Sequence, residues 1–474
     1  LVTAAWWDDI WLNEGFATWM ERKPIEAWHP EWNLEDDATA AAQQIISVDS
    51  LSSARAIHGE PRTSSEIKEM FDGITYEKGG AVLRMLEAYL GPEVFRRGVN
   101  QYLKEHANGN ATSADFWRAM TQVSGKAVDK IMPTFVMQPG VPVVSVRQSC
   151  QGGRAQIQLE QQRFEISSTQ SATTHEQWQI PVCMKSPQAC ALVTGKSKQV
   201  EGDSCPQWVF ANRDAKGYYR LAYSLEDLNK VAAAAEKELT APERIALVED
   251  TWAMTRAGRY PVAGFMNLAQ ALRAEQERHV IDLLAAHFEY LGSSLVSEGQ
   301  ETSYNKFVRE QFAPLAAKLG WVPRSNDTED QKTLRASLLQ VMGEAGEPGA
   351  IAAAHNMVKQ YLERPESVEA NMTGPAFTVA SQTGDAALYD KLHSAFEKTR
   401  TQDEYYHYLF ALAGFRQPEL VERTLQLVAQ GKVRQQDYPA LFGNLLANPA
   451  ARSITWKYLK AHWDALAEKV TTFG

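Results

Sequence analysis

The 474-residue sequence holds no uncharged apolar run of the length, about 18 residues, that a helix needs to cross a bilayer, so no membrane span is expected. It has no basic excess either. Forty-eight Lys and Arg against 58 Asp and Glu leave a formal net charge of −10. Recognition of a phosphate backbone calls for a basic stripe, so a nucleic-acid partner is excluded. Cysteine is scarce: Cys150, Cys183, Cys190 and Cys205 are all there is, and no two form a C-x-x-C pair, which excludes a zinc ribbon. The ten histidines are His29, His58, His106, His175, His279, His287, His355, His393, His407 and His462. No two lie four apart, so no HExxH pair can form on one helical turn. His175-Glu176-Gln177-Trp178-Gln179 starts like one but ends on Gln179 in a strand-like context, and it is read as a decoy. With 29 Gly and 20 Pro the chain is neither low-complexity nor fibrous.

What is present is core material. The chain is 44% hydrophobic, with 13 Trp, 16 Tyr and 17 Phe. At about 100–200 residues per domain it makes two to four domains. The four cysteines fall within one stretch, which predicts one or two disulfides in a small module and, with them, a periplasmic or secreted protein. Three pairings are open, and four buried thiols in a cytoplasmic protein are the alternative. The chain starts at Leu1 and runs at once into Trp6-Trp7-Asp8-Asp9-Ile10-Trp11-Leu12 with no leading turn, so it is expected to be the C-terminal part of a longer protein.

Three regions follow from periodicity. Residues 1–138 read as mostly helical. Ile67, Met70, Phe71 and Ile74 recur at helical spacing. Val82, Met85, Leu86, Tyr89 and Leu90 form a second stripe that stops at Gly91-Pro92. Thr112, with Asp115 three residues on, caps a helix whose stripe is Phe116, Met120 and Val123. From Gln138-Pro139-Gly140 the period becomes two: Val144 and Val146, then Ala155, Ile157 and Leu159, then Trp178, Ile180, Val182 and Met184. Short strands separated by Gly-containing turns predict a small β-sandwich over 139–224. From 225 to 474 helix follows helix, with Thr240-Ala241-Pro242-Glu243 as a capping box. About 250 residues of this kind predict an α-solenoid, with one large bundle as the alternative. The fold class is therefore multidomain and mainly α.

Glu14 lies in Trp11-Leu12-Asn13-Glu14-Gly15-Phe16-Ala17. Glu on a helix is ordinarily solvated, but these neighbours are heavily aromatic, and a buried carboxylate needs a cation, a donor or a metal. The segment from Trp6 to Ala17 resembles the block that follows the HExxH helix in gluzincin zinc aminopeptidases of the aminopeptidase N and puromycin-sensitive type. Met70-Phe71-Asp72-Gly73-Ile74-Thr75-Tyr76-Glu77-Lys78-Gly79-Gly80 resembles that family's Y-x-K-G block. Weaker likenesses run through Gln138–Val144, Val209–Tyr223, Arg434–Asp437 and Trp456–Trp463.

The resemblance implies that Glu14 is a zinc ligand and that Tyr76 donates to the oxyanion formed as water attacks the peptide carbonyl. The zinc enzyme would remove N-terminal residues from peptide substrates. The two His ligands, the water-activating Glu and the block that holds the substrate amine would all lie ahead of Leu1. This chain alone is therefore expected to be inactive and not to retain zinc. Substrate-binding residues and oligomeric state are not assigned. Two other readings are a non-catalytic peptide-binding or scaffold protein of the same fold, and an epoxide hydrolase of the leukotriene type. The long helical tail fits the latter less well.

Overall fold

A computed structural model describes residues 2–166, 176–297 and 299–470. His175, the first residue of the decoy, lies outside them. The chain divides into two compact units, Leu1–Leu272 and Arg273–Gly474, and among the described residues it is mainly helical.

The first unit opens with a two-residue strand β1 (Thr3–Ala4), paired in parallel with β2 (Asn110–Ala111). Its helices are α1 (Ile10–Trp28), α2 (Leu34–Asp49), α3 (Ser64–Glu69), α4 (Gly79–Leu90), α5 (Pro92–Glu105), α6 (Ser113–Ser124) and α7 (Val128–Val136). The stripe read in α4 is its core face: Val82, Met85, Leu86 and Leu90 are buried, and Gly91, at φ 92°, ends the helix before Pro92 starts the next. Thr112 caps α6 with Asp115 returning the hydrogen bond.

The stripe read through Ile67, Met70, Phe71 and Ile74 is not one helix. α3 ends at Glu69, Phe71 is 43% exposed, and a separate π-helical turn runs from Ile74 to Lys78. The Asp72 carboxylate causes the break. It accepts from the backbone N–H groups of Ile74 and Thr75, as an N-terminal cap does, so a new helical segment starts there.

Beyond Gly140 the alternation becomes a four-stranded sheet in which Ser197–Gly202 (β7), Arg154–Phe164 (β4), Val141–Gln151 (β3) and Arg220–Tyr223 (β8) lie side by side in that order. β3 (Val141–Gln151) and β4 (Arg154–Phe164) form a hairpin in register Val141↔Phe164 to Gln151↔Arg154, closed by Gly152 and Gly153 at positive φ. A second hairpin joins β5 (Ile180–Met184) to β6 (Ala189–Val193); β7 (Ser197–Gly202) pairs with β4, and β8 (Arg220–Tyr223) runs parallel to β3. Every apolar residue read into these strands is buried. The cysteines pair as Cys150–Cys205 and Cys183–Cys190, the latter across the β5–β6 hairpin. The unit closes with α8 (Leu225–Glu238), α9 (Ala241–Arg256), capped as read by Thr240 and Glu243, and α10 (Val262–Ala271).

The second unit is helical throughout its described residues: α11 (Arg278–Ser294), α12 (Glu301–Leu319), α13 (Glu329–Glu344), α14 (Pro348–Glu363), α15 (Ala370–Gln382), α16 (Ala386–Phe396), α17 (Gln402–Gly414), α18 (Pro418–Ala429), α19 (Tyr438–Ala447) and α20 (Pro449–Val470). Alternate helices pack side by side, α11 on α13, α13 on α15, α15 on α17 and α17 on α19. The helices between them pack on that row, α12 on α13, α14 on α13 and α15, and α16 and α18 on α17.

Candidate active site

The site is built where α1 crosses the segment Ile74–Leu90. α1 is fastened at its start. The buried Asp9 carboxylate accepts from the Ser113 backbone N–H at 2.8 Å and from the Ser113 hydroxyl, and the Trp11 indole donates to that hydroxyl at 3.0 Å. This ties the first turn of α1 to the first turn of α6.

Five residues on, the backbones nearly touch. A Cβ on Gly15 would stand 2.9 Å from the Gly79 carbonyl carbon and Cα, and one on Gly80 would stand 3.0 Å from the Thr18 methyl. Only glycine permits this approach. It brings the residue before Gly15, which is Glu14, against the turn that precedes Gly79.

That turn is the π-helical segment Ile74–Lys78, held at both ends. At its start, Arg55 donates to the Asp72 carboxylate at 3.1 Å, to the Thr75 hydroxyl at 2.8 Å and to the Met70 carbonyl at 3.2 Å. At its end, the fully buried Lys78 ammonium lies 2.8 Å from the fully buried Asp49 carboxylate. Burial pulls the Lys78 ammonium below its usual range, and Asp49 pulls it back up. Tyr76 stands between these anchors. A π-turn widens the helix by one residue and re-aims the side chains it carries.

Glu14 and Tyr76 are both half-buried and interact with each other. Partial burial, and then the Glu14 carboxylate as hydrogen-bond acceptor and as a negative charge, hold the Tyr76 phenol above its usual pKa. A phenol in that condition keeps its proton at neutral pH and can donate it in a hydrogen bond. The carboxylate is an oxygen ligand of the kind zinc accepts. Among the described residues it belongs to no group of three His, Cys, Asp or Glu side chains close enough to share an ion.

A cavity of about 40 Å³ lies beside the crossing, lined by residues of α1, α2 and α4. Four of its charged side chains pair closely, Lys23 with Glu87 at 2.8 Å and Arg84 with Glu35 at 2.7 Å. Reading the sequence singled out Glu14 and Tyr76, but not the residues that place them: Asp9, Gly15, Asp49, Arg55, Asp72 and Lys78. Asp9, Gly15, Asp72 and Lys78 lie inside the two segments already noted. Asp49 and Arg55 carry no local signal, because their side-chain partners lie 17 or more residues away along the chain.

Comparison with known proteins agrees over nearly the whole length. Residues 1–135 match the Peptidase family M1 domain and residues 208–474 match the ERAP1-like C-terminal domain. The mitochondrial aminopeptidase 2 of Saccharomyces cerevisiae is 29% identical over 479 residues, covering 99% of this chain and 50% of the relative. Aminopeptidase M1 of Arabidopsis thaliana is 29% identical over 496 residues, covering 98% and 55%. The alanine/arginine aminopeptidase of S. cerevisiae is 28% identical over 480 residues, covering 99% and 55%. The chain thus spans about half the length of the curated relatives it matches. It belongs to the M1 family of gluzincin aminopeptidases, of the aminopeptidase N type.

Proposed function

We propose that this chain is the part of a zinc aminopeptidase that supplies one metal ligand, Glu14, and one oxyanion donor, Tyr76. What supports the reading is the glycine-only crossing that lays the helix carrying Glu14 against the turn carrying Tyr76, with partial burial and then the Glu14 carboxylate raising the Tyr76 pKa. Two histidines and a water-activating Glu from outside this chain would complete the centre. Zinc bound there would acidify a water and polarise the peptide carbonyl. Glu14 contributes a fixed negative oxygen. Tyr76, with its proton retained, donates to the carbonyl oxygen as charge develops on it, and the anchored π-turn spares it reorganisation at that moment. The substrates are peptides that lose residues from their N-terminus, in keeping with the names of the relatives.

In this reading residues 1–138 are the helical remainder of a thermolysin-like catalytic domain, 139–224 a β-sandwich, and 225–474 a superhelical array. The order of helices, strands and helices supports it. The two disulfides favour a periplasmic or secreted protein. Protein isolated without reductant should then show no free thiol, and four reactive thiols would refute that location.

The test of the site is Tyr76→Phe in the full-length enzyme. Loss of one oxyanion donor should lower kcat by about 10²–10³, with KM little changed. A fall of less than about threefold removes Tyr76 from that role, because a donor used only in the transition state must show in kcat.

A further inference from the structure

Lys78, two residues after Tyr76, forms an ion pair with Asp49, and both side chains are wholly buried. A buried ion pair is a poor source of stability. Desolvating two charges costs about as much as their attraction returns, and well-packed apolar residues often do as well or better. The pair therefore asks for another explanation, and its remaining contacts offer one.

The Asp49 carboxylate accepts three donors from three parts of the fold. Lys78 Nζ comes from the end of the π-turn at 2.8 Å, the Gly140 backbone N–H from the start of the strand region at 3.0 Å, and the Tyr218 hydroxyl from its end at 3.0 Å. Lys78 Nζ also donates to the Gly140 carbonyl at 3.3 Å and lies 5.7 Å from the centre of the Tyr218 ring. Gly140 sits at φ 89°, a conformation that favours glycine, and a Cβ there would stand 2.8 Å from the Arg163 side chain. Such contacts are directional in a way that apolar packing is not. They set the height and rotation of the turn two residues after Tyr76.

We propose that Lys78 is a positioning residue for Tyr76, and that through Asp49 it registers the tyrosine-bearing turn against both ends of the strand region. The strand region is then part of the catalytic alignment and not only a spacer. This rests on the reading of Tyr76 as oxyanion donor, but its geometric content can be measured without any activity.

The experiment uses the 474-residue chain labelled with ¹³Cζ-tyrosine. The Tyr76 resonance is assigned by its loss in Tyr76→Phe, and Glu14→Gln defines the shift that follows loss of the acidic neighbour. The double variant Lys78→Met/Asp49→Leu removes the pair without leaving an unpartnered charge. The expected result is a folded protein of similar melting temperature in which the Tyr76 resonance moves or broadens and the tyrosines of the second unit do not. A folded double variant with the Tyr76 resonance unmoved overturns the proposal. Should that variant fail to fold, Tyr218→Phe decides. It deletes one oxygen, and the Tyr76 resonance must still respond.

In the full-length enzyme the double variant should lose at least about tenfold in kcat with KM within about twofold, the pattern of a misplaced transition-state donor. Lys78→Arg should recover part of that loss, because it restores a cation that reaches Asp49. If the resonance moves but neither this variant nor Tyr76→Phe affects kcat, the positioning stands and the oxyanion role of Tyr76 falls.

Discussion

Among the carboxylates outside the site, Glu344, at the end of α13, is far out of its ordinary range. Burial, and then the charge of Glu289, push its carboxyl up to about 8, while the amides of Gln382 and Gln340 and the charge of Arg416 pull the other way. Its folded-state pKa thus lies above its unfolded value of about 4.5. Below that value both states are protonated and the group makes no difference. As pH rises toward 8 the unfolded chain releases a proton that the folded chain keeps, so stability falls across this window and levels off above it. Glu344 is only half-buried, and water screens part of the effect, leaving a loss on the order of 1–2 kcal/mol. Melting curves at pH 5.5 and 8.5 should therefore show a drop of a few degrees that Glu344→Gln abolishes. An equal drop in the variant would place its cause elsewhere.

At the scale of elements, glycine in a helix has two opposite meanings in this molecule. Gly15 in α1 is pressed on the Gly79 backbone, whereas nothing lies within 4 Å of a Cβ placed on Gly443 in α19. Gly443→Ala should thus stabilise by about 1 kcal/mol through helix propensity alone. Gly15→Ala gains the same propensity but overpacks a contact whose far side is main chain and cannot rotate away, at a cost of about 1–3 kcal/mol. It should lower the melting temperature and separate Glu14 from Tyr76. Thermal unfolding of the two variants checks this, and shifts of the same sign would defeat the packing argument.

The same contrast shows what could be read from the chain. Caps such as Thr112 and Thr240, and the alternating strands from Val144 to Met184, depend on neighbours a few residues away, so their pattern is local. The π-turn depends on Asp72, Arg55 and Asp49 converging from separate elements. A helical period drawn through Ile67 and Phe71 ran straight over the break that Asp72 makes. The aromatic neighbours of Glu14 hinted at a carboxylate with a partner, but the roles of Glu14 and Tyr76 were legible only through resemblance. Composition alone marks neither, since a Glu on a helix and a Tyr ahead of one are both common.

For the whole molecule the central quantity is how many metal ligands one chain provides. Catalytic zinc is ordinarily held by three protein side chains, and complete ligand sets are worth about 10–16 kcal/mol at neutral pH. Glu14 is one carboxylate, and among the described residues no two further ligating side chains gather around it. A single oxygen ligand supplies a fraction of that energy, and water competes for the same ion. Calorimetric titration of this chain with zinc at pH 7 should accordingly give no tight one-to-one binding that depends on Glu14. Stoichiometric binding abolished by Glu14→Gln would mean that the chain completes the site from its own residues. In that event the histidines assigned to the rest of the enzyme would not be needed, and the division of the active site between two parts of a longer protein would be wrong. Weak binding that ignores Glu14→Gln leaves the division intact, because it reports acidic surface groups and not the crossing of α1 over the tyrosine turn.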